Sequence, residues 1–369
     1  MNPSIPFVNL AAQHRAIHAE LLEAVEKVIC AGQFILGGEV ERFEQAFAAL
    51  CGVRFAVGVN SGTDALILAL SALGVGANDE VITVPNSFVA TASAIALVGA
   101  RPVFVDVGGD YLIDCSAIER AITPRTKAIL PVHLTGRPAD MQPILDVAAA
   151  HGLHVVEDCA QAVLAEYRSQ RVGSFGAVGC FSCHPLKTLS ACGDGGVLTL
   201  NDAALYEKLR VLRNLGLRSR EECVIWSGNS RLDTVQAAIL LVKLRYVEEW
   251  TAGRRAHAAR YQQALAGIDD IEVPKDRPFE TSAYHTFVIQ ARDRDGLRRH
   301  LARHGVETAI HYPIPIHLQT AAATLGYGRG SFPWAERQAE RILSLPIYPD
   351  LSTDDVESVA SHIRSFYHV

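Results

Sequence analysis

Apolar residues in this chain come in short blocks that ignore the two-residue alternation of a half-exposed strand. RFAVGV (54–59), DEVITV (79–84), RPVFVDV (101–107), KAILPVH (127–133), LHVVED (153–158) and GGVLTL (195–200) are apolar on both pleat faces, which is how strands of a buried, mainly parallel sheet read. Amphipathic stretches of helical length separate them, among them TDALILALSAL and ADMQPILDVAAAHG. Repeated alternation of strand and helix predicts an α/β fold: an open, mainly parallel sheet with helices on both faces and a binding crevice beyond the carboxyl ends of the strands. From about residue 246 the pattern changes to a long charged helix, VEEWTAGRRAHAARYQQALAG, then isolated strand-like pieces such as YHTFVIQA and a Pro-rich loop, HYPIPIH. The expected organisation is an N-terminal arm (1–30), a large α/β domain (31–245) and a smaller C-terminal α+β domain (246–369). Pattern alone leaves open which domain the arm packs on.

Composition narrows the class. A chain of 369 residues with 49% hydrophobic and 20% charged residues can bury a large core. A net charge of −6 and the lack of any Lys/Arg run argue against nucleic acid as a partner. The opening MNPSIPFVNLAAQHRAIHAELL does not have the form of a signal sequence, and no segment reaches membrane-spanning apolar length. A cytoplasmic location is expected. Eight irregularly spaced cysteines form no disulfide framework and are expected as thiols.

Four features fall at strand ends. Asn60-Ser61-Gly62-Thr63 joins RFAVGV to its helix, where Gly62 permits close backbone approach and the Thr63 hydroxyl and helix-start N–H groups suit a phosphate. The same four residues also suit a helix cap with no ligand. Asp158 closes LHVVED, followed by Cys159-Ala160-Gln161; it could hold a cationic ligand group or cap a helix. In FSCHPLK, Lys187 lies between two apolar strands, where desolvation would lower its pKa and free an amine for Schiff-base chemistry, although most loop lysines are solvated. Finally, Asn229 and Arg231 sit in GNSRLD before the helix TVQAAILLVKL, which Asp233 could cap; an arginine there suits phosphate binding or is a plain surface charge.

Together these residues match the needs of pyridoxal phosphate: a lysine for the Schiff base, an acid for the pyridine nitrogen and a helix start for the phosphate. Asp158 precedes Lys187 by 29 positions, room enough for the strands and turns that would bring both to one crevice. Phe88, in PNSF, could stack on the ring or be an ordinary core aromatic. Two other motifs carry no chemistry. Cys180-Phe-Ser-Cys183-His184 has haem-attachment and zinc spacing, but there is no second metal-spaced pair and the stretch reads as a buried strand; no metal is expected. Gly74-Val-Gly76 follows a helix and precedes a strand, the reverse of a dinucleotide loop.

The ordered motifs GQFILGGEVERFEQAFA (32–48), VGVNSGTDAL (57–66), VVEDCAQA (155–162), FSCHPLKTLSACGDGGVL (181–198), NSRLDTVQAAIL (229–240) and HYPIPIH (311–317) resemble the DegT/DnrJ/StrS family of sugar aminotransferases over nearly the whole chain. The resemblance implies the aspartate-aminotransferase-like fold, that of type I pyridoxal phosphate enzymes, and a homodimer with active sites at the subunit interface. It implies Lys187 as the Schiff-base lysine and proton shuttle, Asp158 as the pyridinium partner, Gln161 as a contact to the ring hydroxyl and Phe88 as the stacking face. Gly62, Thr63 and Ser182 would hold the phosphate, with Asn229 from the neighbouring subunit. Arg231, also across the interface, with His311, Tyr312 and His317, would face the substrate. Departures at Thr135, Thr188 and Gly228 bear on the shape of the sugar pocket and remove no group from this set.

The implied activity is amino transfer, from L-glutamate, to a keto sugar on a nucleoside diphosphate, in the branch that makes 3-amino sugars. Two other functions are a sugar dehydratase, which replaces the lysine and against which Lys187 argues, and a non-catalytic regulator that keeps the fold. The intact set of Lys187, Asp158 and Ser182 argues against the regulator.

Overall fold

Each of the six apolar blocks becomes a strand, and a computed structural model describes them within residues 5–369. The strands are β1 (Phe55–Val59), β2 (Glu80–Thr83), β3 (Arg101–Phe104), β4 (Thr126–Ile129), β5 (His154–Asp158), the short β6 (Glu166–Tyr167) and β7 (Gln170–Arg171), β8 (Val178–Ser182), β9 (Gly196–Leu200), β10 (Ile271–Glu272), β11 (Glu280–Thr281), β12 (Phe287–Ala291) and β13 (Ile342–Leu345). Seven form the central sheet in the order β1-β9-β8-β5-β4-β2-β3. Pairings from β8 through β5, β4 and β2 to β3 are parallel, while β9 runs antiparallel to both β1 and β8. An antiparallel neighbour can follow its partner through a short connection, whereas a parallel one needs a crossover. The loop between β8 and β9 is such a return, and it carries Lys187.

Every residue of β2, β8 and β9 is buried, as expected for a sheet with helices on both faces. On one side the helix Gly62–Ala72 packs across the sheet with Leu66, Leu68 and Leu70 in the core. On the other, Phe43 and Phe47 of the helix Gly38–Cys51 meet Phe181 of β8 and Leu240. Four connections leave the sheet at one rim: β1 into the helix at Gly62, β2 into the helix Val89–Leu97 through Phe88, β5 at Asp158, and β8 into the lysine loop. That rim holds the candidate site.

A second, antiparallel sheet, β10-β12-β13, packs with the helices Val247–Ala264, Arg294–Arg303 and Thr353–Tyr367 around Tyr261, Phe287, Ile289, Leu343 and Val359. The segment between them is shared, since Ile316, Phe332 and Ala335 pack into the first core. β11 also pairs with β6, so that Glu280 lies opposite Tyr167. We keep the division at residue 246 as a proposal.

The arm packs against the helix Thr234–Leu244: Ile17 and Leu21 join Ile239, Val242 and Trp250 in one cluster. Residues 1–4 of the expected arm lie outside the described residues. Asp233 stands at the N-cap of that helix but makes no capping hydrogen bond through its side chain; the Thr234 N–H goes instead to the Phe34 carbonyl at 3.2 Å. All eight cysteines are unpaired, and no helix among the described residues is long and apolar enough to cross a membrane.

Phe47 has no exposed surface and meets the Phe181 ring edge-on at 5.0 Å between centroids. Phe47→Ala is expected to destabilise the fold by about 3–5 kcal/mol, read as a lower denaturant midpoint, and an unchanged midpoint would contradict this packing.

Candidate active site

The first element of the site is a helix start. Ser61 is the N-cap of Gly62–Ala72, and its hydroxyl accepts from the Asp64 N–H at 3.0 Å. Helix geometry leaves the Gly62 and Thr63 N–H groups without intrahelical partners and a positive dipole end above them. Glycine at position 62 answers a close approach of a different kind from the one sequence suggested. A Cβ there would lie 2.6 Å from the Cβ of Ser182, so this helix start and the end of β8 can touch only without a side chain. Ser182 thereby joins Gly62 and Thr63 at one wall of a cavity of about 410 Å³.

Asp158 forms the floor. Its Oδ2 accepts from the Thr91 hydroxyl at 2.8 Å and its Oδ1 from the Ala160 N–H at 3.1 Å. Because Thr91 uses its only proton on Asp158, its oxygen accepts from Ser87 in the 2.8 Å contact between the two hydroxyls. Burial raises the Asp158 carboxyl above the usual carboxylate range, opposed by these two hydrogen bonds and by the Lys187 charge. A cationic N–H placed against it would relieve the desolvation.

Neighbouring side chains on a strand point to opposite faces. Glu157, with no exposed surface, therefore faces away from Asp158 and accepts from the N–H groups of Gly173, Phe175 and Gly176 at 2.7, 2.8 and 2.8 Å. His133 lies 3.1 Å from the same carboxylate through Nε2. The Ala139 N–H donates to His133 Nδ1 at 2.9 Å, which places the ring proton on Nε2 and makes that atom the donor to Glu157.

Lys187 hangs half-buried from the β8–β9 return. Desolvation lowers its pKa from 10.5 to about 8, with the Asp158 carboxylate opposing the shift. Opposite stand His311 and Tyr312. Burial, then the Lys187 charge, brings His311 down to about 4, and burial pushes Tyr312 up to about 12. Gln161 bridges the floor to this wall, accepting from the Thr135 N–H at 2.7 Å and donating to the Tyr312 hydroxyl at 3.2 Å. The Phe88 ring, 52% exposed, lies 5.6 Å from that of Tyr312.

Of the residues singled out from sequence, the fold brings Gly62, Thr63, Phe88, Asp158, Gln161, Ser182, Lys187, His311 and Tyr312 to this one cavity. Three others lie outside it. His317 is 2% exposed, bonded to Glu336 at 3.0 Å and packed edge-on against Phe332. Arg231 bridges to Val59 in the backbone and donates to Asn214 at 3.0 Å, and Asn229 beside it is exposed. The cavity also contains residues that sequence reasoning missed: Ser87, Thr91, His285 and Arg254. Arg254, 4% exposed, donates to the carbonyls of Ile347 and His285 and is lowered to about 10 by burial. Nothing in the charged sequence of the helix Val247–Ala264 marks it out.

The model of the DegT/DnrJ/EryC1/StrS aminotransferase family matches residues 15–364. The chain is 45% identical to the erythromycin biosynthesis sensory transduction protein EryC1 of Saccharopolyspora erythraea, over 98% of this chain and 99% of that one. It is 44% identical to the UDP-N-acetyl-3-dehydro-alpha-D-glucosamine 3-aminotransferase of Acidithiobacillus ferrooxidans, over 100% and 99% of the two chains. The crystal structure of S. venezuelae DesV in complex with a ketimine intermediate superposes with a TM-score of 0.98 at 43% identity, covering 100% of both chains.

Gly62→Val should force the helix start away from Ser182 and weaken binding of pyridoxal phosphate by about tenfold or more while the fold persists. Equilibrium binding followed by absorbance, with circular dichroism as the control for folding, measures this; wild-type affinity would remove the close approach from the argument.

Proposed function

The chain belongs to the DegT/DnrJ/EryC1/StrS aminotransferase family, and from that premise we propose that it moves an amino group from L-glutamate to C3 of a keto sugar carried on a nucleoside diphosphate. Its cofactor is pyridoxal phosphate, which supplies a carbonyl to carry the amino group and a ring to delocalise electrons. The observation that carries the reading is the pairing, in one cavity at the strand ends, of a desolvated lysine with a buried carboxylate.

In this proposal the Lys187 amine holds the cofactor and, once freed, moves the proton between carbon atoms at its Nζ. Asp158 accepts the pyridine N–H and keeps that nitrogen protonated, while Gln161 reaches the ring hydroxyl and Phe88 covers one ring face. Gly62, Thr63 and Ser182 bind the phosphate through the helix start and hydroxyls. Asn229 and Arg231 serve the partner subunit's site in a homodimer, consistent with their lying outside the cavity of their own chain. The neighbouring Trp226, 93% exposed, with Val224 and Ile225, supplies apolar surface for that interface. His311 and Tyr312 face the substrate; His317, tied to Glu336, acts on that wall through the HYPIPIH loop. Amination at C3 is supported by the name of the Acidithiobacillus relative. A cytoplasmic setting suits eight unpaired thiols.

EryC1 is named for sensory transduction, which favours a regulator as the second reading. L-glutamate separates the two: added to the purified holoenzyme it should bleach the visible band of the bound cofactor, and subsequent addition of UDP- or dTDP-linked 3-keto sugars should restore it. A band that glutamate leaves unchanged would support the regulator. Lys187→Ala is expected to abolish that band and the transfer in a folded protein. Because the lysine must be unprotonated to react, the rate at which apoenzyme takes up pyridoxal phosphate should rise with pH through about 8 and level off above it. A rate that goes on rising through about pH 10 without levelling off would refute the lowered pKa.

A further inference from the structure

Away from the cavity, three histidines meet where two helices of the second sheet's layer pack. His300 lies on the helix Arg294–Arg303, and His304, its C-cap, is four positions later, so both project from one face. His362 comes from the helix Thr353–Tyr367. His304 is central: its ring centroid is 4.4 Å from that of His300 and 4.3 Å from that of His362. One ligand atom from each ring lies within 4.8 Å of the other two.

The hydrogen bonding leaves one nitrogen free on His304 and one on His300. The His300 carbonyl is 2.9 Å from His304 Nδ1, so that nitrogen carries the proton and Nε2 presents its lone pair. His300 Nε2 is buried and has no hydrogen-bond partner among the described residues. No carboxylate is bonded to any of the three rings among the described residues, and burial, then the neighbouring positive charges, holds His300 and His362 below the ordinary histidine value against a hydrogen bond of His300 with the His362 backbone. A buried ring nitrogen without a partner is costly unless something fills the position.

We propose that His300, His304 and His362 bind a borderline transition-metal ion of the Zn²⁺ or Ni²⁺ class, with water as its fourth ligand, clamping the helix Arg294–Arg303 to the helix Thr353–Tyr367. Three neutral imidazoles suit such an ion, and the absence of oxygen ligands in the cluster among the described residues disfavours Mg²⁺ and Ca²⁺. Tetrahedral coordination with Zn–N of about 2.0–2.1 Å needs the nitrogens roughly 3.4 Å apart, a closure that rotation of half-buried rings supplies. Arg303, next in sequence to His304, places a positive charge near His300 and weakens the site without blocking it. None of the three histidines lines the candidate active site, so the proposal is independent of the aminotransferase reading.

Isothermal titration of the holoenzyme with Zn²⁺ after chelator treatment tests it, alongside thermal unfolding with and without the ion. Wild type should bind one equivalent per chain at this site and unfold at a higher temperature when loaded. His304→Gln and His362→Gln should each weaken that binding by about 10- to 100-fold and cancel the thermal shift. Two variants on different helices guard against one failing to fold. No binding by wild type, or binding that neither substitution weakens, overturns the proposal.

Discussion

A carboxylate buried at the carboxyl end of the middle strand is the constraint around which this molecule is arranged. Asp158 is 4% exposed, and an acid so placed destabilises the fold unless its surroundings supply donors and positive charge. Thr91 and Ala160 supply the donors and Lys187 the charge. Each comes from a different connection at the same rim, so satisfying Asp158 already brings the helix after β2, the end of β5 and the β8–β9 return to one place.

The strand's pleat makes that arrangement rigid. One residue before, Glu157 points to the opposite face and receives three main-chain N–H groups from 173–176 together with the His133 ring. This network fixes the segment leading into β8, and with it the strand that carries Ser182 and launches the lysine loop. Gly179 completes the fit: a Cβ there would lie 2.4 Å from the Cα of Gly173, so the strand and this turn are in direct backbone contact. The cavity floor on one face of β5 and the scaffolding on the other are thus products of two adjacent acids.

Desolvation also sets the electrostatic character of the cavity. It pushes the Asp158 carboxyl up and brings the Lys187 ammonium down, so both are poised for a ligand that provides an opposite charge or takes up an amine. Around them His311 and His285 are driven toward the neutral form, in each case first by burial and then by Lys187. Neutral imidazoles can orient a polar substrate without competing with it for the acid.

Sequence by itself determined the long strands of the central sheet, the helices between them, and the lysine and acid that the fold brings to one cavity. Blocks apolar on both faces have few other solutions in a chain of this size, and Lys187, Asp158 and the Gly62-Thr63 turn stand beside those blocks in the chain. What it could not determine were contacts between residues distant along the chain. Thr91 is 67 positions from the acid it holds, and His133 acquires its tautomer only once Ala139 reaches it. Arg254 and His285 enter the cavity from the second sheet's side, and His317, itself expected to face substrate, is drawn to Glu336 because a buried imidazole takes the partner that packing offers. The arm's choice of the helix Thr234–Leu244, left open by its amphipathic pattern, was likewise settled by the shape of the apolar surface it met. Local pattern encodes which faces must be buried; only the folded chain decides which buried groups become neighbours, because that depends on packing distances that no linear spacing contains.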